Sequence, residues 1–178
     1  MAIRQIMKHP WQDQVLRAKS QPVNKVDDEI RMLLQDMADT MYFLNGVGLS
    51  APQVGLSKRV AVVDIGAGLI KLVNPIIVEA TGEQLDLEGC LSIPGMSGVV
   101  QRPEKVVVQA LNEHGEFVEL TGTGLAARAF CHEIDHLDGI LFIDKVIPEG
   151  KSCMIESGGA DDHLWTGTVT KTGAKLGN

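Results

Sequence analysis

Residues 105–139 read KVVVQALNEHGEFVELTGTGLAARAFCHEIDHLDG, and the hydrophobic period changes partway along them. Lys105 to Leu111 and Phe117 to Leu120 are short runs rich in β-branched and apolar residues, with Glu113-His114-Gly115 between them as a hairpin turn. From Thr123 or Gly124 the spacing becomes helical, which predicts a helix ending at Asp138-Gly139. Working outward, Arg59 to Ile65, Leu72 to Ala80 and Ile140 to Val146 are further predicted strands. Ahead of them all, Ile30, Leu33, Leu34, Met37, Met41 and Leu44 form one apolar stripe of a helix from about Asp27 to Leu44. Asp27 suits its N-cap, and Asn45-Gly46 its stop. Strands grouped together, with one helix before and one after, argue for an α+β domain rather than a doubly wound parallel sheet.

The 178 residues suffice for one domain with a real core, and 44% hydrophobic with 22% charged residues exclude a disordered chain. A net charge of -7 disfavours non-specific binding to nucleic acid or an anionic membrane. Three cysteines, Cys90, Cys131 and Cys153, make no disulfide framework, which points to a reducing cytosol. The N-terminal residues resemble no signal peptide, and no apolar run approaches the roughly 18 residues of a membrane span. After Gly150 the chain turns Gly- and Thr-rich. Residues 1–150 are therefore expected to form the domain and residues 151–178 an irregular extension, with an edge strand at Thr166 to Thr170.

His132-Glu133-Ile134-Asp135-His136 is an HExxH set inside the second predicted helix. Residues four apart stand one turn above each other, so both imidazoles can hold one metal ion while Glu133 takes a proton from water beside it. With 5 His in the chain, accident produces the pattern in roughly 1% of such sequences. A catalytic centre of this type wants a third protein ligand. Position 142 is Phe, which removes the HExxHxxGxxH extension; Glu149 and Glu156 are downstream carboxylates, and thiolates are the other candidates. Cys131 is turned about 100° from His132 and reads as a core residue, Cys153 lies in the tail, and Cys90 follows a glycine in Glu88-Gly89-Cys90-Leu91-Ser92. The stretch Gly46-Val47-Gly48-Leu49-Ser50-Ala51-Pro52-Gln53 is no phosphate loop, because it follows a helix and has Ala51 where glycine is needed. Its glycines suit close approach of backbone to a substrate, with Gln53 as an amide donor.

GxGxxAxQ at 46–53, EGCLS at 88–92 and HExDH at 132–136, in that order, resemble the motifs of the peptide deformylases, over roughly residues 1–148. The resemblance implies small antiparallel or mixed sheets around a central HExxH helix, an N-terminal helix and an irregular C-terminal extension. It implies removal of the formyl group from N-formylmethionyl nascent peptides in the bacterial cytoplasm, near the ribosome. Cys90, His132 and His136 would hold one divalent metal ion, Fe(II) in the cell with Zn, Ni or Co accepted. Glu133 would be the general base and acid, and Gln53 with the Leu91 N–H would donate to the developing oxyanion. Helix geometry makes Leu125 and Ala129, with Val47, the wall of a methionine pocket, and Arg128 lies at its edge. The peptide would extend along a strand edge near Gly46 to Gly48. The resemblance also implies that Arg102 braces Glu88. Ser50 and Cys131 stand where many members have Ala and Gln, and the tail lacks the charged helix of many bacterial members. Competing readings are an HExxH metallopeptidase with a downstream Glu ligand, and a non-catalytic member that binds metal or formyl peptides.

Overall fold

The computed structural model describes residues 2–148 and 167–172. In chain order its elements are α1 (Asp13–Leu16), α2 (Asp28–Phe43), β1 (Gly48–Ser50), β2 (Val60–Val63), β3 (Ile70–Thr81), β4 (Gln84–Cys90), β5 (Ile93–Arg102), β6 (Lys105–Leu111), β7 (Phe117–Gly124), α3 (Leu125–Leu137) and β8 (Gly167–Thr172). Short 3₁₀ turns occur at Ala51–Val54 and Phe142–Asp144.

Helix α2 starts where the Asp27 carboxylate accepts the Ile30 N–H at 3.0 Å. It stops where Asn45 takes a left-handed φ of 54° and the Gly46 N–H returns to the Met41 carbonyl. Its stripe of Ile30, Leu33, Leu34, Met37 and Met41 is buried with Leu49, Val60, Val62 and Val73. Each such side chain contributes roughly 1.5–3 kcal/mol by leaving water.

All strand pairs are antiparallel, in one sheet ordered β1-β2-β3-β6-β7-β8 and a separate β4-β5 hairpin. The β6–β7 hairpin pairs Lys105 with Thr123 through Leu111 with Phe117. Its turn is closed by the Asn112 Oδ1, which accepts the His114 and Glu116 N–H groups. Helix α3 follows β7 directly and lies on the sheet, with Phe130 packed so closely over Gly122 that a Cβ there would meet its ring at 2.8 Å. It touches β1, β2, β3, β5, β6, β7 and β8. No helix of the described residues is long and apolar enough to cross a membrane.

Three stretches around the site depart from the sequence pattern. The expected strand at Ile140–Val146 is a 3₁₀ turn, and only Val146 bridges to Val100. The cause is local: the Asp144 carboxylate accepts the Leu141 N–H at 3.0 Å, and Gly139, at φ 75°, sits against the Arg17 carbonyl, where a Cβ would come to 2.3 Å. Leu141, Phe142 and Val146 are still buried, in a cluster with Leu16, Ile93 and Val100. Strands β4 and β5 carry no clean alternation because Glu88 and Arg102 are buried and glycines interrupt the runs. The third departure is β1, a strand inside the glycine-rich stretch, paired through Gly48 with Val63. The expected edge strand near Thr166 to Thr170 is present as β8 on the outer side of β7. The rest of the tail, with Glu149, Cys153 and Glu156, lies outside the described residues.

Candidate metal centre and active site

Cys90 ends β4 at the tight connection to β5, and the Ser92 N–H points back at its sulfur at 3.4 Å. His132 and His136 project from one side of α3, with ring centroids 4.9 Å apart. One ligand atom from each of Cys90, His132 and His136 lies within 4.8 Å of the others, and Cys90 Sγ is 3.2 Å from His136 Nε2. Two distant segments of the sequence, the end of β4 and one side of α3, thus converge on one small volume.

Glu88 orients the centre. One carboxylate oxygen faces His132 Nδ1 at 2.9 Å, leaving Nε2 for the cluster, and Glu88 also accepts Arg102 Nε at 2.7 Å, Arg102 Nη2 at 2.9 Å and Arg128 Nη1 at 2.8 Å. Burial pushes the Glu88 carboxyl up, but Arg102 and His132 outweigh it and hold the group well below the ordinary range. Burial also pushes the Cys90 thiol up, and the His136 and His132 imidazoles beside it overcome this and favour thiolate. His132 is driven the other way: burial lowers it, while Cys90 and Glu88 hold it well above its usual value. A thiolate and imidazole that together attract a proton mark a place fit for a cation. The donors, one sulfur and two imidazole nitrogens, suit Fe, Co, Ni or Zn.

Glu133 stands beside this cluster, 3% exposed, and its Oε2 has no hydrogen-bond partner among the described residues. Burial raises its pKa against the lowering effect of the two histidines. Gly48 is packed onto this carboxylate, with room for no side chain: a Cβ there would meet Glu133 Oε1 at 2.3 Å. Gln53 is fixed by Ser50, whose N–H and hydroxyl both donate to its Oε1 at 2.9 Å. Its amide nitrogen therefore faces Cys90 Sγ at 3.4 Å and Ser92 Oγ at 3.3 Å.

A cavity of about 410 Å³ opens onto the cluster. Val47, Gly48, Leu125 and Ala129 line it, as do Gln53, Cys90, Leu91, His132 and Glu133, whereas His136 lies behind the lining. Arg128 lines it too and also binds Glu88, so it is both a pocket residue and an ion-pair partner. Leu87 and Met96 add apolar wall; both belong to the hairpin that sequence periodicity does not reveal. Cys131 is a core residue packed with Phe130 and Ile134, its thiol pushed up to about 11 by burial. Ser92 closes the EGCLS motif and accepts from Gln53 Nε2, whereas Lys8 belongs to no motif, yet its Nζ donates to the Leu91 carbonyl at 2.6 Å.

The chain matches the polypeptide deformylase family over residues 3–152. A peptide deformylase of Acetivibrio thermocellus is 59% identical over 147 residues, which is 83% of this chain and 85% of that one. One of Alkaliphilus metalliredigens is 58% identical over 149 residues, 84% of this chain and all (100%) of that one. The crystal structure of the Thermotoga maritima peptide deformylase superposes with a TM-score of 0.80 at 40% identity, covering 83% of this chain and 100% of that chain. The Synechococcus elongatus enzyme in complex with actinonin gives 0.79 at 39% identity, covering 85% of each chain. With three motifs converging on one cavity and these likenesses spanning nearly all the described residues, the chain belongs to the polypeptide deformylase family, metal-dependent enzymes that hydrolyse the N-formyl amide of nascent peptides.

Proposed function

We propose that this chain deformylates N-formylmethionyl peptides with Cys90, His132 and His136 as ligands of one divalent ion, Fe(II) in the cell, and Glu133 as the proton carrier. The observation that carries this reading is the meeting of the three ligand atoms within 4.8 Å, beside a buried Glu133 whose Oε2 is unpartnered among the described residues. When bound by these three residues, the ion would lower the pKa of a water molecule and polarise the formyl carbonyl. Glu133 Oε2 accepts a proton from the attacking water as the water oxygen bonds to the formyl carbon. Gln53 Nε2 and the Leu91 N–H donate to the carbonyl oxygen as it gains charge; losing one such donor costs about 2.7–4 kcal/mol of barrier. Glu133 then hands its proton to the leaving amine, the C–N bond breaks and formate departs.

Leu125, Ala129 and Val47, with Leu87 and Met96, form an apolar wall suited to a methionine side chain. Strand β1 ends the six-stranded sheet, so a peptide laid along Gly46 to Gly48 would pair through its main chain, which tolerates many sequences. Residues 1–150 would act as the catalytic domain, in the cytoplasm and close to the ribosome.

The deciding experiment measures formate release from formyl-Met-Ala-Ser by anaerobically purified, Fe(II)-loaded protein beside Glu133→Ala and Cys90→Ala. Release by the parent and loss in both variants is expected. Metal retention by Cys90→Ala would favour a peptidase with a downstream Glu ligand, and peptide binding without formate would favour a non-catalytic member.

A further inference from the structure

The Leu91 carbonyl and the Ser92 N–H are opposite ends of one peptide group, and each has a notable partner. The carbonyl oxygen accepts from Lys8 Nζ at 2.6 Å, and the N–H points at Cys90 Sγ at 3.4 Å. Lys8 makes no ion pair among the described residues, so its charge is directed at this peptide rather than neutralised by a carboxylate. The segment around it is tied to the same machinery. The Met7 N–H donates to the Gln53 carbonyl at 2.8 Å, the His9 N–H to the Ser92 carbonyl at 2.9 Å, and the Lys8 N–H to Gln12 Oε1 at 2.6 Å.

We infer that Lys8 is a positioning residue that tunes the Cys90 sulfur through the Leu91–Ser92 peptide. A cation on a carbonyl oxygen forms a short, charge-assisted hydrogen bond and polarises the amide, leaving its N–H more positive. A more positive N–H draws electron density from the thiolate it faces. The sulfur then donates less to a bound ion, and the ion keeps more of its Lewis acidity. The same bond fixes the carbonyl of Leu91, the residue whose own N–H is assigned to the developing oxyanion. Lys8 is 83 residues from Leu91, so no local motif announces the connection.

This inference rests on the reading of Cys90 as a metal ligand, and its test separates the two. The full chain is loaded with Co(II), and the sulfur-to-cobalt charge-transfer band is compared in the parent, Lys8→Met, Lys8→Gln and Lys8→Arg, with thermal unfolding as a control for folding. A more electron-rich sulfur gives up charge more easily, so the band is expected to move to longer wavelength in Lys8→Met. Lys8→Gln, which keeps a donor without the charge, is expected to lie between, and Lys8→Arg close to the parent. In Fe(II)-loaded protein the two neutral variants are expected to show a severalfold lower kcat with KM unchanged. Bands in Lys8→Met and Lys8→Gln that coincide with the parent overturn the inference, as does a Lys8→Arg band that moves with the neutral variants. No sulfur-to-cobalt band in the parent itself overturns the assignment of Cys90 instead.

Discussion

Gly48 and Glu133 touch, and the contact makes a single methyl group decisive. In Gly48→Ala the new Cβ meets Glu133 Oε1 at 2.3 Å, so the carboxylate must leave the position it holds beside Cys90, His132 and His136. The expected result is a loss of formate release of roughly 10²-fold or more, the usual worth of general acid–base catalysis, with metal content and melting temperature little changed. Gln53→Ala removes a donor held by Ser50 and is expected to lower kcat roughly 10²–10³-fold, read by steady-state kinetics on a short formylated peptide. At this scale much of the site was legible. His132 and His136 were readable because a helix places residues four apart on one side, and Cys90 gained its meaning only from the ordered company of two other motifs. Lys8 was not legible, because what matters about it is a peptide group it reaches across the fold and no residue pattern encodes that.

Among the elements, α2, β6, β7 and α3 follow from local sequence: a capped apolar stripe, an Asn-closed hairpin, and a change of period from 2 to 3.6. The β4–β5 hairpin does not, because its buried positions include Glu88 and Arg102, which invert the usual pattern of apolar inside and polar outside. The run Ile140–Val146 misleads in the opposite sense: it is apolar like a strand, yet the Asp144 side chain captures the Leu141 N–H three residues before it. That turn has a pH signature. Burial pushes the Asp144 carboxyl up, but the Arg17 guanidinium and the Leu141 N–H outweigh it, so the folded-state pKa lies below the usual value. A depressed carboxyl stabilises above the unfolded pKa and loses that contribution as pH falls through the folded one. The stability gap between parent and Asp144→Asn, measured by urea unfolding, is therefore expected to be present at neutral pH and to shrink below about pH 4.

Over the whole molecule, the site is assembled from segments near residues 8, 48–53, 88–92 and 132–136, drawn together by a charge network as much as by the core. Arg102 is its crossing point, donating twice to Glu88 and once to Asp135 at 2.5 Å while only 3% exposed. Arg102→Met strands part of that buried negative charge and is expected to cost about 3–5 kcal/mol in denaturant unfolding. Because Glu88 orients His132, metal affinity is expected to fall about 10–100-fold in the same variant, measurable by competition with a chelator. The edge strand β1 carries a consequence of a different kind. Main-chain pairing along such an edge admits only a partner that is still extended, so a chain whose first residues have already joined their own sheet or helix offers nothing to hold. With a substrate paired along β1 as proposed above, deformylation becomes a race against the folding of its own substrates, and proteins whose first strand or helix forms earliest after synthesis would be the ones to keep their formyl group.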